Sequence, residues 1–181
     1  MLSTDRLILR KWRQEDLVPF SLLNADPEVM RFFPSVQTTE ETRASMARVQ
    51  AHIEENGFGF WVAELKAEKQ CIGFIGLQQV AGILPCAPAV EIGWRLDKSV
   101  WGQGLAPEGA RACLAYAFSK LGLEEVVSFT AAKNVPSRRV MEKIGMIHDP
   151  AASFEHPAVS RGSTIRDHVL YRIRACDPIG F

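Results

Sequence analysis

Between a run of β-forming residues, Ala89 to Leu96, and a helical run from Pro107 to Leu121 stands Trp101-Gly102-Gln103-Gly104-Leu105-Ala106. No other segment restricts the fold as much. Glycines and a small residue where a strand hands over to a helix let backbone N–H groups approach a bound anion. The helix start adds unpaired donors and the positive end of a dipole. Pro107 suits the first turn, because its missing N–H would have had no partner there. A pyrophosphate fits such a loop, and so does a plain turn whose glycines serve tight packing. A third reading is the dinucleotide fingerprint of NAD proteins, whose first two glycines Gly102-x-Gly104 would supply. Pro107 stands where the third glycine belongs, and no first βαβ unit precedes it, which counts against NAD.

Patterns on either side place the loop in a mixed α/β domain. Leu7-Ile8-Leu9, before Arg10-Lys11-Trp12, reads as an opening strand. Gln14 to Ala25 reads as a helix, and Asp26-Pro27 as the start of a short one. Thr38 and Glu41 have the spacing of a capping box, and Met46, Val49 and Ile53 recur at helical spacing until Gly57. Phe58 to Leu65, Cys71 to Leu77 and Ala89 to Leu96 are β-type runs, with a charged hairpin turn at Glu64 to Gln70 and a longer loop at Gly82 to Pro88. After the glycine loop, Ala110, Leu114, Ala117, Phe118 and Leu121 share one helix face, and Gly122 stops the helix. Val126 to Ala131 is a strand, Ser137 to Ile144 a short helix ended by Gly145, and His168 to Ile173 a last strand. Helices, then an antiparallel meander, then α/β alternation predict one mixed α/β domain.

Length and charge narrow the class. A chain of 181 residues is one ordinary domain with a sizeable core. Lys plus Arg equals Asp plus Glu, 21 against 21, so no bulk field recruits nucleic acid or an anionic membrane. Cys71, Cys86, Cys113 and Cys176 are scattered, so no metal site and no disulfide framework is expected, and reduced thiols fit a cytoplasmic protein. Met1 to Arg10 lacks the apolar stretch of a signal peptide, and no run approaches the length of a membrane span.

Val90-Glu91-Ile92-Gly93-Trp94-Arg95-Leu96, followed by Trp101-Gly102-Gln103-Gly104-Leu105-Ala106-Pro107-Glu108-Gly109, resembles the central acetyl-CoA motif of the GNAT superfamily of N-acetyltransferases. The branch it resembles most contains the ribosomal-protein N-terminal, or Rim-type, enzymes. Thr4-Asp5-Arg6-Leu7-Ile8-Leu9-Arg10 is similar to that branch's first strand. Asn134-Val135-Pro136-Ser137-Arg138-Arg139-Val140-Met141-Glu142-Lys143-Ile144-Gly145-Met146 is similar to its Asn-x-x-Ser helix. Together these motifs cover almost the whole chain, most strongly Val90 to Met146. The resemblance implies a single acetyltransferase domain over 1–181, with the acetyl-CoA-binding core at about 88–146 and the acceptor side at about 12–62. It also implies a central mixed, mostly antiparallel twisted sheet flanked by helices, with strands splayed at the cofactor site.

The same resemblance implies the chemistry. Acetyl-CoA is the acyl donor, its pyrophosphate on Gly102, Gln103, Gly104, Leu105 and Ala106. Its pantetheine arm lies along Ile92, Gly93, Trp94, Arg95 and Leu96 like an added strand. A backbone N–H there would polarise the thioester carbonyl. Asn134 would hydrogen-bond the arm. Ser137 reads equally as a contact to the thiol sulfur and as a helix N-cap. Lys133, Arg138, Arg139 and Lys143 form a basic neighbourhood that suits the 3′-phosphate or an ordinary solvated helix face. Many relatives carry a Tyr seven residues after the Asn as general acid, and here Met141 occupies that place. Glu91 is the candidate general base, through water, against the alternative of a solvated strand carboxylate. His156 and His168 are weaker candidates.

Of the acceptor amines, an α-amine costs roughly 1 kcal/mol to deprotonate at pH 7 and a lysine about 4.6 kcal/mol. A site without an obvious strong base therefore favours the α-amine, such as a protein N-terminus. Amino acids, antibiotics and polyamines stay open on the sequence. Trp12, Phe32, Phe33 and Trp61 are candidates to line the acceptor groove, although aromatics more often belong to a core. A non-catalytic acyl-CoA sensor is the competing class that Met141 keeps open. Dimers are common in the family, and nothing in the sequence demands one.

Overall fold

The computed structural model describes residues 1–80, 82 and 84–180, so that Ile83, within the expected loop at 82–88, lies outside the described residues. Eight strands form one sheet: β1 (Leu2–Ser3), β2 (Leu7–Arg10), β3 (Phe60–Leu65), β4 (Gln70–Val80), β5 (Ala89–Leu96), β6 (Glu125–Ala131), β7 (Ile147–Glu155) and β8 (Asp167–Arg174). Their order is β1-β2-β3-β4-β5-β6-β8-β7. Among the described residues β5 and β6 are the one parallel pair. Four helices flank the sheet: α1 (Leu17–Ala25), α2 (Thr39–Asn56), α3 (Leu105–Ser119) and α4 (Val135–Lys143). This is the mixed, mostly antiparallel architecture expected from the sequence.

Helix α3 covers one sheet face. Ala110, Cys113, Leu114 and Ala117 are fully buried and join Ile75, Ile92 and Leu96 in the main core. A β-carbon on Gly109 would come within 2.4 Å of the Ile75 side chain, so a glycine is what lets α3 lie this close to β4. On the opposite face α1 packs over β4 through Phe20 and Leu23, joined by Val29 of the turn that follows, with Trp12, Met46 of α2 and Phe74 at the margin. A buried ionic cluster ties this side to the sheet: Arg10 donates to both carboxylate oxygens of Asp16, at 2.7 and 2.8 Å, and to Glu64 at 2.6 Å.

Several local expectations hold. Thr38 and Glu41 form the capping box of α2, with Glu41 N to Thr38 Oγ1 at 3.2 Å and Thr38 N to Glu41 Oε2 at 2.7 Å. Gly57 ends that helix in the left-handed region, at φ 77°, and Gly122 follows α3 at φ 66°. The expected helix from Gln14 divides instead. Gln14–Asp16 is a 3-10 turn, and α1 begins at Leu17, because Pro19 has no N–H to bond back four residues and so belongs in a first turn. The expected helix at Asp26-Pro27 is only a turn, held by Met30 N to Asp26 O at 3.0 Å. Pro34 disfavours helical backbone at Phe33 and halts it.

Strands β1 and β7 were not expected. β7 is an edge strand carrying Pro150 and a register shift between Asp149 and Phe154, features that an edge tolerates and that hide a strand from pattern analysis. Among the described residues no helix is long and apolar enough to cross a membrane. The four cysteines are free: Cys71 and Cys113 buried, Cys86 partly buried and Cys176 exposed.

Candidate active site

β5 and β6 run parallel but share a single bridge, Glu91 with Val127. Past it they part. Peptide groups alternate in direction along a strand, and this decides what the gap exposes. Asp97 N donates to Ile72 O at 2.8 Å. Counting back in twos, the peptides of Arg95 and Gly93 face β4, while those of Ile92, Trp94 and Leu96 face the gap. The Ile92 carbonyl accepts the Ser128 hydroxyl at 2.9 Å, and the Leu96 carbonyl accepts Trp101 Nε1 at 2.9 Å. Along the open edge this leaves the N–H and C=O of Trp94 and the N–H of Leu96. Ser128, which the sequence did not single out, is 2 % exposed.

Side chains alternate as well. Ile92, Trp94 and Leu96 point toward α3 and the main core, while Glu91, Gly93 and Arg95 point to the other face. A β-carbon on Gly93 would meet the Phe60 ring at 3.0 Å. Burial alone pushes the Glu91 carboxyl up to about 7, with neither a charge nor a hydrogen bond contributing. Such a group changes protonation near neutral pH, as a general base must.

The glycine loop closes one end of the gap. Gly102 and Gly104 have φ values of 77° and 79°, a region that side chains strain to enter. Gly104 is the N-cap residue of α3 and supplies no side-chain cap, so the first N–H groups of a 15-residue helix have no capping acceptor there. Leu105 is buried as the first helical residue, while Gln103 is exposed. Helix α3 thus starts two residues before the expected Pro107. Arg6, missed at the sequence level, braces the loop: it donates to the Gln103 carbonyl at 2.9 Å and pairs with Glu108 at 2.6 Å.

On the other side of the gap, Asn134 and not Ser137 is the N-cap of α4. Its Oδ1 accepts from Ser137 N at 3.3 Å, and its Nδ2 donates to Thr130 Oγ1 at 2.8 Å and to Ser137 Oγ at 3.0 Å. Ser137 sits in the first turn, which corrects the alternative that made it the cap. Because Ser137 Oγ accepts from Asn134, its own proton is left to point elsewhere. Met141 is 1 % exposed and part of the main core, so the position of the family Tyr is filled by a core side chain. Arg138 donates to Tyr171 Oη and to the Ala132 carbonyl, whereas Lys133, Arg139 and Lys143 are exposed.

The aromatic candidates divide. Trp61 is 3 % exposed and meets Tyr116 of α3 edge-on, so it belongs to the core and not to a groove. Trp12 packs on Phe20 and donates to the Phe60 carbonyl at 2.8 Å. With Leu17, Met46 and Ala47 it lines a shallow cleft of about 230 Å³ that includes none of the residues of the gap. Phe33 lies under the Arg95 guanidinium, 4.0 Å from ring centroid to charge, and Phe32 lies under Arg31 at 5.0 Å. Arg31 also covers the Trp101 ring, and Lys98 pairs with Asp26 at 2.7 Å. These contacts fasten the α1–α2 connection to the glycine-loop side of the gap. Across it, Phe129, Phe154, His156 and His168 cluster, the two imidazoles 4.8 Å apart. Burial lowers both histidines from their ordinary value.

The acetyltransferase (GNAT) domain family matches residues 6–147. The chain belongs to the GNAT family. It is an acetyl-CoA-dependent N-acetyltransferase. It is 30 % identical over 172 residues to the uncharacterized N-acetyltransferase YnaD of Bacillus subtilis, covering 95 % of each chain. A GNAT acetyltransferase of Bacillus anthracis superposes with a TM-score of 0.80 at 27 % identity, over 96 % of this chain and 98 % of that one. RimJ of Mycobacterium smegmatis, solved with CoA-disulfide, superposes at 0.77 over 96 % of this chain and 87 % of that one, and at 19 % identity it shares the fold.

Proposed function

We propose that this acetyltransferase acts on an α-amine by direct attack on the thioester, as in the Rim-type branch, with the donor seated in the gap between β5 and β6. The observation that carries this is Glu91. Its carboxyl has no partner among the described residues, titrates near 7 and stands at the last bridge before the strands part.

The positive-φ loop Gly102–Gly104 and the uncapped start of α3, through Leu105 and Ala106, hold the pyrophosphate. The pantetheine arm follows the open edge of β5, Ile92 to Leu96, with its strongest polar contacts at the Trp94 peptide. The Trp94 N–H polarises the thioester oxygen and stabilises the negative charge that forms on it. Glu91, through a water, takes the proton released as the amine nitrogen bonds to the acetyl carbon. When the carbon–sulfur bond breaks, Ser137 Oγ–H donates a hydrogen bond to the departing thiolate, which takes its proton from water. Asn134 keeps Ser137 turned for that task. An α-amine is the acceptor that a carboxylate of pKa near 7 serves best, since a lysine would cost several kcal/mol more to deprotonate. The acceptor side, 12–62, contributes Phe33 and the connection that carries it.

Calorimetric titration with acetyl-CoA, with NAD as control, followed by thiol release on an amine and peptide panel, tests this. Micromolar binding of acetyl-CoA alone and faster thiol release with α-amines are expected. Binding with no amine-dependent release would make the chain a sensor. Absence of binding would return the glycine loop to a packing role.

A further inference from the structure

Arg95 is the side chain that the acetyl-transfer chemistry leaves without a task. It leaves β5 on the same face as Glu91, with Gly93 between them. Over four residues of strand the two α-carbons stand about 13 Å apart. Its guanidinium lies between the rings of Phe33 and Phe74, at 4.0 and 5.5 Å. Within the chain Nη1 donates to Asn24 Oδ1 at 2.7 Å. Nε is enclosed and has no partner among the described residues. No carboxylate among the described residues comes within ion-pair distance. Asp26 is paired with Lys98, and Asp16 and Glu64 are taken by Arg10. Burial pulls the Arg95 guanidinium down to about 10, which leaves it a cation at neutral pH.

A cation largely withdrawn from water, with no counter-charge among the described residues and an unmade hydrogen bond, is costly. Arg10, in the same domain, indicates how the chain treats a guanidinium meant for structure: it gives it two carboxylates. Arg95 receives a neutral amide and two aromatic faces. These fix its position and leave its Nε/Nη2 edge, the edge that grips a carboxylate side-on, without a hydrogen-bond partner among the described residues. Phe33, stacked on its plane, is 37 % exposed, so the cluster reaches the surface at that ring.

We propose that the acceptor bears a carboxylate close to its amine and that Arg95 binds it, holding the amine over Gly93 within reach of Glu91. This deepens the acetyl-transfer reading and rests on it. The acceptor is then an amino acid, or a chain end whose first residue is acidic, and a polycation is rejected because it would meet an unpaired positive charge. Leaving a buried donor unpaired is how a site built for a polar group discriminates against an analogue that lacks it.

Acetyl-CoA binding by the wild-type protein is measured first. Its failure would remove the acetyl-transfer reading and is distinguishable from a failure of the carboxylate preference, which shows only in turnover or product binding. Thiol release is then compared for L-alanine against L-alaninamide, and for peptides beginning with Asp or Glu against their Asn or Gln counterparts, with spermidine as the cationic control. The first pair reports a free amino acid, the second an acidic chain end. At least one carboxylate member should exceed its amide tenfold or more in kcat/KM, mainly through KM. Arg95→Gln should erase that ratio by slowing the acid at least tenfold more than the amide. Equal rates for acid and amide, a preference for spermidine, or an Arg95→Gln loss shared equally by acid and amide would overturn the proposal. If acetyl-CoA binds and no amine turns over, N-acetyl-L-alanine and its amide are titrated into the CoA complex. Tighter binding of the acid, lost in Arg95→Gln, supports the proposal, and equal or absent binding overturns it.

Discussion

Ser128 Oγ donates to the Ile92 carbonyl at 2.9 Å, spanning β5 and β6 just past their last bridge. A backbone acceptor that parallel pairing would have satisfied is satisfied by a side chain, so the strands part without orphaning it. Ser128→Ala should cost about 1 kcal/mol, since it leaves a buried acceptor unpaired. It should also raise the KM for acetyl-CoA several-fold by loosening the edge proposed to carry the arm. Urea titration and steady-state kinetics check the two effects. A stable variant with an unchanged KM would mean that the width of the gap does not matter to the donor.

Glu91 makes two predictions about pH. The value of kcat/KM should rise with pH through about 7, as the carboxyl ionises and becomes a base, and Glu91→Gln should flatten that limb while lowering the rate. Stability takes the opposite course. A folded carboxyl raised above its unfolded value binds its proton more tightly in the native state. The Glu91 contribution to stability therefore falls as pH rises from about 4.5 to about 7, and changes no further above that. Relative to wild type, Glu91→Gln should gain in Tm at pH 8 and not at pH 4.5. Thermal scans at both pH values decide it.

Ser137→Ala tests the proposed hydrogen bond to the departing sulfur. Asn134 Oδ1 still caps α4 through the backbone of residue 137, so the fold should hold while kcat falls tenfold or more. Asn134→Ala should instead cost about 1 kcal/mol as a lost N-cap. Placing a Tyr at 141 should not restore an acid. That side chain lies in the core, where a larger ring overpacks by about 1–3 kcal/mol.

Gly104→Glu combines a side chain in the left-handed region, φ 79°, with a negative charge at the loop proposed to hold the pyrophosphate. Calorimetry should find acetyl-CoA binding abolished, with a stability cost of about 1–2 kcal/mol from backbone strain. Unchanged affinity would place the pyrophosphate elsewhere.

Where the chain carried its own local signals, the sequence was enough. Thr38 and Glu41, Gly57, the glycines at 102 and 104, and the 3.6-residue stripe of α3 depend on neighbours within a few positions. The family motifs depend on them too. Such short-range determinants marked the mixed fold, the donor loop, and Glu91 and Ser137 as candidates. The sequence did not reveal the edge strand β7, whose Pro150 and bulge are tolerated only because no strand pairs with its far side. Nor did it separate Trp61, which packing buries against Tyr116 of α3, from Phe33, which stacks on Arg95 and reaches the surface. Ser128, Arg6 and the charge of Arg95 were also out of reach, because each owes its character to groups distant in sequence: Ile92, Glu108 and, for Arg95, the lack of a paired carboxylate among the described residues. A residue's type and its neighbours in sequence fix its local conformation. Its solvation, its counter-charge and therefore its chemistry are decided by what the tertiary structure places beside it.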